Sequence, residues 1–386
     1  MANRTRAQIK NRTNAFLGNT LIPYGRQKID TDDIRAVIAV LKSDWLTQGP
    51  KVKEFENALA KYCGASYAVA VSSGTAALHL AYLAANIQSG DEVITTPNTF
   101  AATSNMLLAV GAKPVFCDIR LDNYNIDASK IEELITPRTK AIVPVHFAGH
   151  PCEMDVINKV AKKYKLLIIE DACHALGASY QNKKIGSIGD MTIFSFHPVK
   201  SITTGEGGAI LTNNKSYCER LIHLRSHGIN KDKDGFNVMT ALGHNYRLTD
   251  IQTALGLSQL KKLDGFIKAR QAIFNAYVEK LKSIKDIVLP STTEDGTSAN
   301  HIFVIRVKNP AIRNKLASYL KGQGIGVNFH YPAVYSHPYY RESGHKNIKL
   351  NNEEIYHNSC ITLPLYPNLK PENIKYICNQ IKNFFR

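Results

Sequence analysis

A chain of 386 residues, 44% apolar and 21% charged, has the composition of a globular protein with room for a large core and a smaller unit beside it. It contains no run of about 18 apolar residues, so no transmembrane helix is expected, and its N-terminus lacks the apolar core of a secretory signal. The formal net charge is +16, but the lysines are scattered in solvated patches such as NKK (182–184), which argues against nucleic-acid binding and leaves room for polyanionic small molecules such as nucleotide diphosphates.

In chain order, residues 1–20 carry Arg4, Arg6, Lys10 and Arg12 and no acid. A short disordered extension over 1–21 is the expected reading, with an organelle transit peptide as the alternative. From residue 66 to 212, short β-branched runs alternate with helix-like stretches. The runs are YAVAVSS (67–73), EVITTP (92–97), PVFCDI (114–119), AIVPVHF (141–147), LLIIED (166–171), MTIFSF (191–196) and GAILT (208–212). Continuous apolar strands of this kind are buried on both faces of a mainly parallel sheet, and IEELI (131–135) and MDVINKVAKKYK (154–165) have the spacing of crossover helices. After RLT (247–249), a long lysine-rich amphipathic stretch runs to about residue 282. Beyond it, NHIFVIRVK (300–308), IRNKLASYLKGQG (312–324), IGVNFHY (325–331) and a C-terminal helix suggest a second, smaller α+β unit. The expectation is an α/β large domain over 22–262 and a small domain over 263–386. The seven cysteines form no CxxC pair and are too few for a disulfide scaffold, so a reducing, cytoplasmic setting and no metal site are expected.

Ligands of open α/β sheets sit at the carboxyl ends of the strands. Four segments end there with chemistry-bearing residues. SSGTAALHLAY (72–82) opens a helix with Ser73, Gly74 and Thr75, which is either an ordinary cap or a phosphate cradle. TTPNTFAATSN (95–105) places Phe100 after a strand, for core packing or for stacking on an aromatic ligand. LLIIEDACHALG (166–177) ends a strand on Asp171, a cap or a partner for a protonated pyridine nitrogen, with His174 three residues on. FSFHPVKSITTGEGGAIL (194–211) sets Lys200 five residues after Ser195, ahead of a glycine-rich reversal. A lysine is seldom buried without a charged partner or a chemical task. Phosphate cradle, aromatic ring, strand-end aspartate, serine and lysine, in that order, suit a Schiff base between Lys200 and pyridoxal 5′-phosphate (PLP).

At these residues the chain resembles the DegT/StrS family of sugar-nucleotide aminotransferases, PLP-dependent transferases of fold type I. The likeness runs from about residue 22 to the C-terminus. It is carried by IPYGRQKID (22–30), LKSDWLTQGPKVKEFE (41–56), SSGTAALHLA, EDACHALGA (170–178), SFHPVKSITTGEGGA (195–209) and NYRLTDIQTALGLSQL (245–260). SFHPVK with ITTGEGG and SDWLTQGP is most similar to the branch that aminates UDP-linked 4-keto-6-deoxy-N-acetylaltrosamine on the route to pseudaminic acid. The resemblance implies that Lys200 carries PLP, Asp171 pairs with its ring nitrogen, and Gly74, Thr75 and Ser195 hold its phosphate. It also implies that Phe100 stacks on the ring, with His174 near its hydroxyl, and that Asn245 reaches the phosphate from the second subunit of a homodimer. Tyr24, Trp45, Thr47, Ser195, Asn245, Asn328, His330 and Tyr331 are implied near the sugar nucleotide, and L-glutamate, released as 2-oxoglutarate, is the implied amino donor. Lys200 is not replaced by histidine, as it is in the family's dehydratase branch. GDP- or dTDP-linked 4-keto-6-deoxyhexoses remain alternative substrates, and a non-catalytic binding module on the same fold remains an alternative role.

Overall fold

A computed structural model of the chain describes residues 21–291 and 295–386. All of the expected N-terminal extension except Leu21 lies outside the described residues.

All seven apolar runs form one sheet: β1 (Tyr67–Val71), β2 (Glu92–Thr95), β3 (Lys113–Phe116), β4 (Thr139–Val143), β5 (Leu167–Asp171), β6 (Met191–Ser195) and β7 (Gly208–Thr212). Their spatial order is β1-β7-β6-β5-β4-β2-β3, and only β7 runs antiparallel to its neighbours. The pleat sends consecutive side chains to opposite faces. Ile168, Phe194 and Leu211 enter one apolar layer, while their neighbours Ile169, Ile193 and Ile210 enter the other. Burial on both faces accounts for runs without polar alternation. The parallel strands point their carboxyl ends at one edge, where β5 finishes on Asp171 and β6 on Ser195.

Two helical expectations need correction. Of IEELI only Glu132–Leu134 is helical, as a short 3₁₀ turn that follows another at Ala128–Lys130, because a five-residue run ahead of Pro137 is too short to nucleate an α-helix. The long stretch after RLT is two helices, Asp250–Leu260 and Leu263–Leu281. At the break between them, the Lys262 ammonium donates to Asp33 at 2.8 Å and also to Asp30, tying the joint to helix Thr31–Leu41. MDVINKVAKKYK forms the helix Met154–Tyr164.

The C-terminal part holds a three-stranded antiparallel sheet in which Phe303–Val307 lies between Ile287–Val288 and Cys360–Leu363. Ile22 packs into this second core, and its backbone bonds to Gly324 and Gly326. Helix Leu263–Leu281 serves both cores, with Leu263 in the first and Ile273, Phe274, Tyr277 and Leu281 in the second. Among the described residues no helix is long and apolar enough to cross a membrane.

Candidate active site

A cavity of about 610 Å³ opens at the carboxyl edge of the large sheet, against the second core. Its volume lies in the usual range for small-molecule sites. Tyr24, Gly74, Thr75, Phe100, Asp171, His174, Ser195, Lys200, Asn328, His330 and Tyr331 all line it. Trp45, Thr47 and Asn245 do not. They are exposed on the surface, where Thr47 pairs with Thr249 and Asn245 with Ser226.

Helix Gly74–Ala84 begins at the cavity floor. Ser73 caps it by accepting the Ala76 N–H at 3.0 Å, and the amides of Gly74 and Thr75 have no intrahelical acceptor. The positive end of an 11-residue helix therefore meets the cavity beside the Ser195 hydroxyl. The turn is closely packed. A Cβ on Gly74 would lie 3.0 Å from Ser195 Cβ and 3.3 Å from Cys173 Sγ, and one on Gly208 would lie 2.5 Å from the Ser73 carbonyl oxygen. Gly208 is thus glycine because β7 starts against the cradle's backbone.

Asp171 is buried at the end of β5 and accepts two hydrogen bonds, from the Thr103 hydroxyl at 2.7 Å and from the Cys173 N–H at 3.2 Å. Lys200 sits in the turn after β6, its N–H bonded to the His197 carbonyl at 2.9 Å. The chain reverses at Gly205, whose φ of +81° is a left-handed conformation that glycine adopts without strain. The Lys200 amine forms no hydrogen bond or ion pair among the described residues. Burial holds its pKa below the ordinary lysine value; Cys173 and Asp171 oppose that shift and Arg270 adds to it.

Three imidazoles feel the Lys200 charge, and burial holds each below the usual histidine pKa, that of His330 at about 4. His174 Nδ1 accepts the Ala148 N–H at 3.2 Å, so its proton is on Nε2, which lies 3.1 Å from the Tyr331 hydroxyl. Asn328 donates to His330 Nε2 at 3.3 Å, which leaves His330 Nδ1–H for Thr362 Oγ1 at 2.8 Å. The third, His301, is 4% exposed; its ring centroid lies 4.4 Å from that of His174, and its Nδ1 has no partner among the described residues. Phe100 is 63% exposed at the rim, 6.2 Å from the Tyr331 ring, and Tyr24 lies 5.6 Å from His330.

A model of the DegT/DnrJ/EryC1/StrS aminotransferase family matches residues 27–382. The chain belongs to this family. Its aminotransferases are PLP-dependent enzymes of fold type I, and the protein is an enzyme of that class. It is 40% identical over 362 residues to the UDP-4-amino-4,6-dideoxy-N-acetyl-beta-L-altrosamine transaminase of Campylobacter jejuni, covering 92% of this chain and 96% of that one. Helicobacter pylori PseC, an aminotransferase of pseudaminic acid biosynthesis, superimposes with a TM-score of 0.92 at 36% identity, covering 95% of this chain and 99% of that one. The candidate sugar aminotransferase Spr1654 of Streptococcus pneumoniae in its PLP form gives 0.89 at 31%, covering 94% and 98%.

The cavity fits PLP by its own chemistry. It offers a helix N-terminus and a hydroxyl for a phosphate, a buried carboxylate for a pyridinium, and an unpaired amine for an aldehyde. Three contributors escape sequence reasoning: Thr103 on Asp171, His301 beside His174, and the buried Arg270 behind Lys200. His301 and Arg270 lie about 100 and 70 residues beyond Lys200, and no local pattern marks them.

Proposed function

We propose that the protein transfers an amino group from L-glutamate to the C4 ketone of UDP-linked 4-keto-6-deoxy-N-acetylaltrosamine, with PLP held at Lys200. The observation that carries this reading is the unpaired, pKa-lowered amine of Lys200 facing the same cavity as the Asp171 carboxylate. A lysine of that kind has a chemical task rather than an ion-pairing one. PLP supplies an aldehyde that takes up the amino group and a ring that accepts the electrons released when a Cα–H bond breaks.

In this reading the chain's own groups divide the work. The neutral Lys200 amine removes the proton from the donor's Cα and later delivers it. Asp171 keeps a proton on the pyridine nitrogen, while Gly74, Thr75 and Ser195 hold the phosphate. Phe100 covers one ring face, and His174 offers a neutral N–H chain through Tyr331. Tyr24, Asn328, His330 and Tyr331 form the wall for the sugar nucleotide. Trp45, Thr47 and Asn245 serve from the exposed surface, with Asn245 completing the phosphate site of a second copy in a homodimer. The seven free thiols suit a cytoplasmic setting.

The substrate assignment is supported by the named C. jejuni and H. pylori relatives. Its test is the pyridoxamine form of the enzyme, incubated with UDP-, GDP- and dTDP-linked 4-keto-6-deoxy sugars. Fast conversion of the UDP-linked N-acetylaltrosamine ketone is expected, and preference for a GDP or dTDP sugar would replace it. Borohydride reduction of the PLP-loaded protein should label the peptide containing HPVK. Label on any other lysine defeats the assignment of Lys200.

A further inference from the structure

Arg270 is a cation buried without a counter-charge. It is 1% exposed and forms no ion pair among the described residues, and its Nε has no hydrogen-bond partner among them. Its guanidinium instead donates to four backbone carbonyls. Nη1 reaches His301 at 2.9 Å and Leu365 at 3.2 Å; Nη2 reaches Val199 at 3.3 Å and Lys200 at 3.5 Å. All four of these residues line the active-site cavity. The fork thus stands directly behind the cavity wall and joins the Lys200 turn to two segments of the second core.

Burying an unpaired charge is expensive, and an apolar side chain of similar size would fill this space without that expense. Two of the fork's bonds fall on the turn that carries the amine. The ionisable groups that face Lys200 are Asp171, Cys173, His174, His301, His330 and Arg270. Burial keeps the thiol protonated and the three imidazoles neutral. The full charges facing the amine are therefore one carboxylate, which favours its protonation, and one guanidinium, which opposes it. Burial lowers the Arg270 pKa only to about 10, so the guanidinium remains charged at neutral pH.

We propose that Arg270 is a positioning residue for the transfer reaction: its fork pins the turn that carries Lys200, and its uncompensated charge offsets Asp171 at the amine. This rests on Lys200 being the reactive amine.

Two variants separate the halves of the proposal. R270Q keeps N–H donors but loses the charge, and R270K keeps the charge but loses the planar fork. In the full-length chain freed of cofactor, which leaves the amine unblocked, trace acetylation across a pH series, read on the peptide containing HPVK, gives the titration of the Lys200 amine. In R270Q the midpoint should rise by about one pH unit, so that reactivity at neutral pH falls about tenfold, the order of effect of one charge at an effective dielectric of ~20. In R270K the midpoint should stay at the wild-type value, while kcat falls about tenfold or more at unchanged KM because the amine is less well held. A folded R270Q that titrates like wild type overturns the electrostatic half, and a folded R270K with wild-type kcat overturns the clamp. If R270Q does not fold, R270K decides: wild-type kcat refutes the proposal, and loss of kcat at unchanged KM with an unshifted amine supports it. Borohydride attachment of PLP to Lys200 in the wild-type protein keeps the two readings apart. Attachment elsewhere defeats the reading of Lys200, whereas normal attachment with neither variant shifted defeats the Arg270 proposal alone.

Discussion

Thr103→Val isolates the support beneath Asp171. A carboxylate can only accept, so the Thr103 hydroxyl must donate across the 2.7 Å contact to Oδ2. Its hydrogen being committed, Thr103 accepts from the Thr99 hydroxyl 2.8 Å away, and a directed chain runs from Thr99 through Thr103 to Asp171. All three side chains are buried. Valine keeps the shape and removes the hydroxyl. The loss is one hydrogen bond to a charged acceptor, roughly 1.5–3 kcal/mol, together with an acceptor for Thr99, roughly another 1 kcal/mol. The main-chain bonds of residue 103, from its N–H to Phe100 and from Tyr82 to its carbonyl, remain available to valine, so the helix start survives. T103V should unfold at lower urea concentration without cofactor and release PLP faster when loaded. T103S, which keeps the donor, should recover most of both properties. Wild-type stability and retention in T103V would refute the reasoning. A T103S variant as poor as T103V would show that the methyl group, not the hydroxyl, matters.

Gly208→Ala would put a Cβ 2.5 Å from the Ser73 oxygen and 2.8 Å from the Gly74 nitrogen, so the cradle must move. PLP affinity measured by equilibrium dialysis should fall at least tenfold, and unchanged affinity would mean that the cradle tolerates the shift. His330 is held neutral in the folded chain, with its pKa at about 4 against roughly 6.5 when unfolded. The unfolded state then binds the extra proton between those values, so stability falls as pH drops through the window, by up to about 3 kcal/mol from this side chain. Urea titrations at several pH values should show a shallower acid loss in H330N, and an unchanged slope would assign the loss to other groups. Mixing Asn245→Asp with Lys200→Ala should restore activity that neither variant has alone if Asn245 serves the partner's site, since one site of each heterodimer then escapes both changes. A verified but inactive heterodimer would place Asn245 in its own chain's site.

The sheet was legible because its strands are buried on both faces and therefore read as unbroken β-branched runs between turn residues. All seven runs became strands of one sheet, in the mainly parallel arrangement expected. Helices were read less well. IEELI has helical spacing, but spacing alone does not supply the length that an α-helix needs, and Pro137 closes the stretch. The break at Lys261 carries neither proline nor glycine. It is marked by a tertiary event, the Lys262 ammonium bonding Asp30 and Asp33 more than 220 residues earlier in the chain.

The site divides along the same line. Asp171, Ser195 and Gly74 lie at or just beyond strand ends, and Lys200 follows five residues after one of them, so once the strands are known the sheet brings the four to one edge. Nothing local predicts that Arg270, in the middle of helix Leu263–Leu281, will turn its charge inward onto the Lys200 turn. Trp45, Thr47 and Asn245 present a different case. Their two segments, some 200 residues apart, meet because Asp250 receives the Gly49 and Lys51 amides while its own N–H bonds the Leu46 carbonyl. The side chains they carry nevertheless remain on the surface, with Trp45 58% and Leu46 47% exposed, and the stretch just before Asn245 exposes Phe236, Met239 and Leu242 by 67–77%. A single chain gives apolar groups of that size no cover, and in the proposed homodimer a second copy would cover them and receive Asn245 at its cradle. The exposure of these residues in one chain is therefore what a shared site requires, and the mixed Asn245→Asp and Lys200→Ala dimer tests that requirement directly.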